Sequence, residues 1–206
     1  MSVVDYIEEM TRADIVVAGD RRRGRDPMRI RRRFMSIARS TGAPHAANTL
    51  AKDLPQDGAS TSDDTVRQCL EALDTVMLIE RIPIWSTHIR SRASTRSNID
   101  FADPSLTLAG LSLRHAQLLR YPGFVGIVFE NLVMRDLLEY AQHIGCTVSY
   151  HRDSNGMEVD AVPEHSNGTW AAIEIKLGPT TVDRAVSSLL RFEELVDSDR
   201  KGNPLH

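Results

Sequence analysis

Two Asn-Gly dipeptides, Asn155-Gly156 and Asn167-Gly168, constrain the fold of this chain more than any other feature. Asn-Gly favours the tight turns that join antiparallel strands. The segments around these turns read "CTVSYHR", "MEVDAVPE" and "WAAIEIKLG" and are rich in strand-forming residues. We therefore predict three strands, at residues 146–152, 157–164 and 170–178, with the second and third as antiparallel neighbours.

Polar residues of the second and third predicted strands lie where their side chains can meet. Because side chains alternate along a strand, Glu174 and Lys176 share one side, while Ile173 and Ile175 share the other. Asp160 lies in the middle of the neighbouring strand. Carboxylates are hard oxygen ligands that suit Mg²⁺, so Asp160 and Glu174 could hold a divalent metal beside Lys176. A solvated rim is the alternative.

Two helices are predicted around these strands. The first lies between Gly123 and Gly145, and Glu130 falls within its apolar stripe of Ile127, Val133, Met134 and Leu137. A carboxylate in that place needs a cation, a metal or a proton, which makes Glu130 either a salt-bridge residue or a third metal ligand. The last helix, residues 180–196, has an apolar stripe of Val182, Val186, Leu189 and Val196. Helices and three strands together predict an α/β (α+β) layer arrangement.

The first hundred residues have the element order of a winged helix-turn-helix. Helices are predicted at residues 1–19, 27–42 and 44–54, followed by a helix that begins at Thr61 or Ser62 and a strand in 77–85, which Pro83 restricts to a sheet edge. Val66, Leu70, Leu73 and Met77 of the capped helix are predicted to face inward. The exposed residues of this helix would be Thr65, Arg67, Gln68 and Glu71. They indicate either DNA docking or a helix used for packing and protein contacts, and the acidic residues around them favour the second.

An arginine-rich run, "DRRRGRDPMRIRRRF", precedes that helix. Such density of positive charge is typical of a surface that binds the phosphate backbone of nucleic acid, although a solvated helix face has the same composition. The predicted DNA-binding residues are Arg21, Arg22, Arg23, Arg25, Arg29, Arg31, Arg32 and Arg33.

Composition bounds the class of protein. A hydrophobic fraction of 41% and a charged fraction of 26% are those of a soluble globular protein, and no apolar run reaches the length of a membrane span. The start of the chain lacks the pattern of a signal peptide, and the two cysteines, Cys69 and Cys146, lie far apart. We therefore expect a cytoplasmic protein. The Ser/Arg-rich segment 86–98 predicts a linker or wing tip between two domains, 1–98 and 99–206.

The "FEN" of Phe129–Asn131, the "EVD" of Glu158–Asp160 and the "EIK" of Glu174–Lys176 together resemble the core of the PD-(D/E)xK nuclease superfamily. That resemblance implies a restriction-endonuclease-like α/β domain after the winged helix. It implies the catalytic residues Glu130, Asp160, Glu174 and Lys176, with Mg²⁺ or Mn²⁺ held by Asp160, Glu174 and Glu130.

The order of winged helix, "FADPSL", "FENLV", "HRDSNGMEVD" and "IEIKLG" is similar to the C-terminal region of an uncharacterised family of bacterial AAA-type ATPases. Members of that family carry an ATPase domain before the winged helix, and this sequence has neither that domain nor a GxxxxGK[ST] motif. We therefore expect a fragment, a stand-alone derivative or one half of a split system with an ATPase partner.

Three functions are considered from these patterns. The first is a metal-dependent DNA endonuclease, and the second is a non-catalytic module that binds DNA or protein with the same fold. The third, a transcriptional regulator that reads DNA through the winged helix, is disfavoured by the acidic residues of the capped helix. His151 and Arg152, at the end of the first predicted strand, are candidate phosphate contacts. For His151 an exposed strand-end position without a role is the preferred interpretation, and Tyr150 is assigned to packing.

Overall fold

The computed structural model describes residues 5, 9, 34–39, 41, 44–45, 63–86, 97–113 and 115–198. Of the predicted helix at 1–19 only residues 5 and 9 lie within these ranges, and both are helical. Of the predicted helix at 27–42, residues 34–39 are described and are helical as predicted. The eight arginines from Arg21 to Arg33 and residues 46–54 lie outside these ranges. Internal contacts divide the chain into two compact units, Met1–Arg81 with Ile99–Asn131, and Ile82–Asn98 with Leu132–His206. The predicted domain boundary at residue 98 stays a prediction, because most of the predicted linker lies outside the described residues.

The described part of the first unit combines helices with a small sheet, of which residues 82–83 and 97–98 are counted with the second unit. Strands β1 (Pro44–His45), β2 (Ile79–Pro83) and β3 (Ser97–Phe101) form a sheet in the order β1-β3-β2, so the Pro83-containing strand lies at an edge as predicted. Helices α1 (Asp63–Thr75), α2 (Pro104–Gly110) and α3 (His115–Leu118) join it. The predicted helix at 44–54 is wrong at its start, because residues 44 and 45 pair with β3.

The spacing of apolar residues in α1 explains which side of this helix is buried. Val66, Leu70 and Leu73 recur at helical intervals and are buried, as the sequence predicted. The helix ends where Met77 takes a positive φ of 54° and the amide of Leu78 bonds to the carbonyl of Leu73. That turn leaves the Met77 side chain 79% exposed, so its suggested inward orientation is wrong.

The core of the first unit contains Phe34, Leu73, Ile99 and Phe101, with the Phe34 and Phe101 ring centroids 4.4 Å apart. Gly110, in α2, lies against this core. A Cβ at that position would lie 3.0 Å from the Ala38 Cβ and from atoms of the Phe34 ring, so the close approach of α2 depends on glycine.

The second unit is organised by a hairpin. Helix α4 (Pro122–Ile144), of which Leu132–Ile144 belongs to this unit, precedes strands β4 (Cys146–Arg152) and β5 (Glu158–His165), which pair antiparallel. Ser149 pairs with Val162, but His151 pairs with Val159, so β5 contains one extra residue between these pairs. This β-bulge lies at Asp160–Ala161 and alters the direction in which the side chains of β5 point.

The third predicted strand is formed only in part. Ala161 and Ile173 exchange both backbone hydrogen bonds, and the amide of Ala171 donates to the carbonyl of Pro163, so residues 169–173 run antiparallel to β5 as predicted. Residues 174–178 form no regular strand. Both predicted Asn-Gly turns are present, with Gly156 at φ 83° and Gly168 at φ 87°.

A 3₁₀ turn (Pro179–Thr181) leads into the last helix, α5 (Val182–Ser198). Its buried residues are Ala185, Phe192 and Val196, with Leu189 packed against the same core. The predicted stripe is therefore half wrong, since Val182 and Val186 are 47% and 48% exposed. The ring of Phe192, rather than the count of β-branched residues, determines which side of the helix packs inward.

An aromatic cluster forms the core of the second unit. Phe192 lies 5.4 Å from the Trp85 ring and 5.6 Å from the Trp170 ring, and all three side chains are almost fully buried. Mixed helices and small sheets confirm the α+β class. Among the described residues, the helices include none with both the length and the apolar character needed to cross a membrane.

Candidate active site

Three of the four predicted catalytic residues come together in the second unit. Asp160 lies in the bulge of β5, and Glu174 and Lys176 lie where the chain stops pairing with β5 after Ile173. There the amide of Ile175 donates a hydrogen bond of 2.7 Å to Oδ2 of Asp160 instead of to a backbone carbonyl. The carboxylate of Asp160 thus holds the segment 174–176 in place. We call Asp160, Glu174 and Lys176 the acid–lysine cluster.

The ammonium of Lys176 bridges the two carboxylates. Its Nζ donates to Oδ2 of Asp160 at 2.9 Å and also forms an ion pair with Oε2 of Glu174. The cluster is only partly open to solvent, since the side chain of Glu174 is 7% exposed and those of Asp160 and Lys176 are 24% and 28% exposed. Two anions and one cation leave a formal charge of −1 in this place.

Burial and pairing shift the ionisation of the cluster. Burial raises the pKa of Glu174, the hydrogen bond from Lys176 opposes that rise, and the Asp160 carboxylate adds to it. Burial alone would lower the pKa of Lys176, but hydrogen bonds to Glu174 and Asp160 outweigh that effect and raise this pKa. Lys176 therefore stays protonated throughout the neutral range.

The donor set suits a hard divalent cation that keeps part of its water shell. Asp160 and Glu174 supply carboxylate oxygens, and Mg²⁺ in proteins is often bound by one or two carboxylates together with waters and phosphate oxygens. No group of three or more His, Cys, Asp or Glu side chains that could hold a metal occurs within the described part of the chain. Any metal here would therefore depend on water and substrate for its remaining ligands.

Glu130 lies on α4 in the part that is counted with the first unit, and its side chain is half-buried. The acid–lysine cluster belongs to the second unit. The assignment of Glu130 as a catalytic residue and third metal ligand stays a prediction. The eight arginines predicted to bind DNA lie outside the described residues, so that assignment also stays a prediction.

On α1, Arg67, Gln68 and Glu71 are exposed, as expected for the outer face of the capped helix. The side chain of Thr65 lies outside the described set.

The preferred interpretation of His151 as an exposed residue is wrong, since its side chain is only 9% exposed. Nδ1 lies 3.2 Å from the carbonyl oxygen of Trp85, and the ring lies 4.8 Å from that of Phe192. Nε2 is buried and has no hydrogen-bond partner among the described residues. Burial lowers the pKa of His151, although the hydrogen bond to Trp85 and the charge of Asp153 oppose this. Tyr150 is buried, in agreement with its predicted packing role.

Arg152 is partly exposed and pairs with Glu158 across the hairpin at 2.8 Å.

Sequence reasoning missed two contributors to these sites. One is the amide of Ile175, which donates to Asp160. The sequence contains no pattern that predicts the β-bulge at Asp160. The other is Trp85, whose amide bonds to the carbonyl of Tyr150 and whose indole N–H donates to Glu164. Its size and apolar neighbours in "IPIW" were the available signal.

Comparison with known proteins gives two family matches. Residues 125–203 match the model of a domain of unknown function (DUF4143), a domain known from proteins associated with AAA-type ATPases. Residues 2–117 match the model of a second domain of unknown function (DUF8612). No curated protein and no solved structure matches the chain. Because the second model covers more than half of the sequence, the chain belongs to the DUF8612 family.

Proposed function

We propose that this protein is a metal-dependent nuclease of the PD-(D/E)xK type that hydrolyses phosphodiester bonds in DNA. The observation that supports this proposal most directly is the convergence of Asp160, Glu174 and Lys176 from two separate segments of the chain. These are the residue types that metal-assisted phosphodiester hydrolysis requires: two oxygen ligands and one cation.

Each residue of the acid–lysine cluster has a role in this proposal. Asp160 and Glu174 would hold Mg²⁺ or Mn²⁺ through their carboxylate oxygens, and the amide of Ile175 fixes the carboxylate of Asp160. The metal, when bound, supplies Lewis-acid polarisation of the phosphate and a more acidic water. Lys176, which stays protonated, offsets negative charge as it develops on the phosphate oxygens.

Other parts of the chain extend the proposal. Glu130 would complete the metal shell directly or through a water. The arginines from Arg21 to Arg33 would bind the DNA backbone without much sequence preference. An AAA-type ATPase is the proposed partner, and the match of residues 125–203 to DUF4143 supports this.

The test is a cleavage assay with the full chain on supercoiled plasmid, linear duplex and single-stranded DNA, each with Mg²⁺, Mn²⁺ or excess chelator. We expect cleavage that requires the metal and falls by about 100-fold or more in Asp160→Asn and Glu174→Gln. Glu158→Gln is the matched control, because Glu158 lies on the same strand and pairs with Arg152 outside the cluster. Cleavage that persists in both cluster variants would refute the proposal.

A non-catalytic binding module is the second candidate. It is favoured by the bridging of both carboxylates by Lys176, since an ion-paired cluster can hold two chain segments together without any metal. In that case no form of DNA is cut, Mn²⁺ does not bind, and the Asp160→Asn variant loses stability but not DNA affinity. Fluorescence anisotropy with a labelled duplex and Mn²⁺ calorimetry distinguish the two candidates.

A further inference from the structure

The position of Lys176 has a consequence for metal binding, and this inference rests on the proposed function. Its ammonium occupies the place between the carboxylates where a bridging cation would bind, in contact with Asp160 on one side and Glu174 on the other. We propose that Lys176 is a built-in competitor for the divalent metal, and that metal binding expels its ammonium from between the two carboxylates.

The geometry leaves little room for both cations. Oδ2 of Asp160 already accepts two hydrogen bonds, from Lys176 Nζ at 2.9 Å and from the Ile175 amide at 2.7 Å. The side chain of Glu174 is only 7% exposed, and the oxygen that pairs with Lys176 is Oε2. A divalent cation that binds both carboxylates would lie within a few ångströms of the ammonium, where like charges repel strongly.

The ammonium of Lys176 can also be displaced without a change in the backbone. Lys176 is 28% exposed, and its flexible stem lets the ammonium swing outward into water while the backbone stays in place. The amide of Ile175 keeps its bond to Asp160 without the lysine, so the carboxylate stays oriented toward an incoming metal. Competition of this kind would leave the cluster with a net charge of only −1 without metal and would weaken its affinity for metal.

The first test compares Mn²⁺ affinity by calorimetry in the full-length wild type and in Lys176→Met, which keeps the length of the apolar stem but removes the charge. We expect the variant to bind Mn²⁺ about tenfold more tightly or better. Arg152→Met is the matched control, since it removes a positive charge from the adjacent strand without touching the cluster, and its affinity should change by less than about threefold.

The second test uses the folded wild type and needs no substitution. The chain has three lysines, Lys52, Lys176 and Lys201, so acylation by an amine-specific reagent can be followed at each of them by mass spectrometry. Saturating Mn²⁺ should increase the acylation rate of Lys176 several-fold relative to the other two. The increase should be absent in Asp160→Asn.

Three outcomes are distinguishable. Tighter binding in Lys176→Met together with metal-induced exposure of Lys176 supports the inference. Equal or weaker binding in Lys176→Met, or an acylation rate that Mn²⁺ leaves unchanged while calorimetry shows binding, overturns the inference but leaves the metal site in place. No Mn²⁺ binding to any variant overturns both the inference and the proposed metal-dependent function.

Discussion

The β4–β5 hairpin contains Asp160 of the acid–lysine cluster and also His151, whose pocket is formed by the rings of Trp85 and Phe192. The two places differ in how their polar groups are paired. In the cluster, each ionised group has a partner of opposite charge. In the pocket, the imidazole of His151 lies among the rings of Trp85 and Phe192 with one nitrogen unpaired among the described residues. The cluster holds charges in ion pairs, whereas burial in the pocket disfavours the charged form of the imidazole.

This difference predicts which perturbation each region will respond to. An ion-paired cluster responds to the loss of one charge or to a competing cation, because the remaining charges are then left without a partner. An apolar pocket responds to loss of packing volume and to protonation of its histidine. Both tryptophans of the chain, Trp85 and Trp170, belong to the second unit, so tryptophan fluorescence reports unfolding of that unit alone.

The largest expected effect is that of Phe192→Ala. Phe192 is fully buried and contacts three other rings, so its truncation leaves a cavity and should lower the free energy of unfolding of the second unit by about 3–4 kcal/mol. Denaturant titration followed by tryptophan fluorescence measures this. Leu190→Ala, on the exposed side of the same helix, is the control and should change the stability by less than about 0.5 kcal/mol. Equal effects would show that the aromatic cluster is not the core of this unit.

The second largest effect is expected for Lys176→Met in the absence of metal. Removal of the ammonium leaves Asp160 and Glu174 facing each other in a half-buried place, which should cost about 2–3 kcal/mol of unfolding free energy. The same titration measures it. Arg152→Met breaks a more exposed ion pair and should cost less than about 1 kcal/mol. If the two substitutions cost the same, the cluster is no more than a surface ion pair.

Sequence reasoning predicted the features of the site that depend on local periodicity. Alternation placed Glu174 beside Lys176, and the Asn-Gly turns set the antiparallel order of the strands. It could not predict the bulge at Asp160–Ala161, because one extra residue in a strand leaves no mark on composition. Nor could it predict that Asp160 replaces a backbone carbonyl as the acceptor for Ile175.

The wrong predictions of which side chains are buried have a common physical origin. The apolar pattern predicts that Val182 and Val186 are buried, but the larger Phe192 and the small Ala185 define the side that fits the aromatic core. A position at the end of a strand predicts that His151 is exposed, whereas the large rings of Trp85 and Phe192 cover it. In both cases tertiary packing of large rings overrides a local pattern, which a single sequence does not reveal.

The third prediction concerns pH. The carbonyl of Trp85 can only accept a hydrogen bond, so Nδ1 of neutral His151 carries the proton and Nε2 is the atom that would be protonated. Because burial lowers the folded-state pKa below the ordinary value of 6.5, the unfolded state binds a proton first as the pH falls. The contribution of His151 to the stability of the second unit is therefore complete above about pH 6.5 and declines below it, by at most about 1.4 kcal/mol per pH unit.

His151→Gln isolates this contribution. Glutamine keeps an N–H donor for the Trp85 carbonyl but does not titrate, and the other six histidines remain as a common background. Unfolding free energies between pH 5 and pH 8 should fall more steeply with acid in the wild type than in the variant. Parallel profiles would mean that the pocket accepts a charged imidazole, which would remove the contrast with the acid–lysine cluster.

The smallest effect is expected at the loop that joins the two strands. Gly156 has a φ of 83° with open space around it, so Gly156→Ala introduces backbone strain without a clash and should cost about 1 kcal/mol. Gly126→Ala lies in the part of helix α4 that is counted with the first unit and also has no near neighbours. Followed by far-UV circular dichroism, it should have the opposite sign, because alanine favours a helix by about 1 kcal/mol. Within the loop that contains Gly156, Asp153 accepts hydrogen bonds from the amides of Asn155 and Met157.

The Gly156→Ala substitution tests whether the acid–lysine cluster and the pocket of His151 are independent of each other. Neither the acid–lysine cluster nor His151 is part of the loop at 153–157, so Gly156→Ala should lower stability while leaving the Mn²⁺ affinity and the slope of stability against pH as they are in the wild type. Calorimetry and the pH series described above measure both quantities. A change in one of them alone would show that the loop transmits strain along only one strand. A change in both would mean that the hairpin couples the charged cluster to the apolar pocket as one unit.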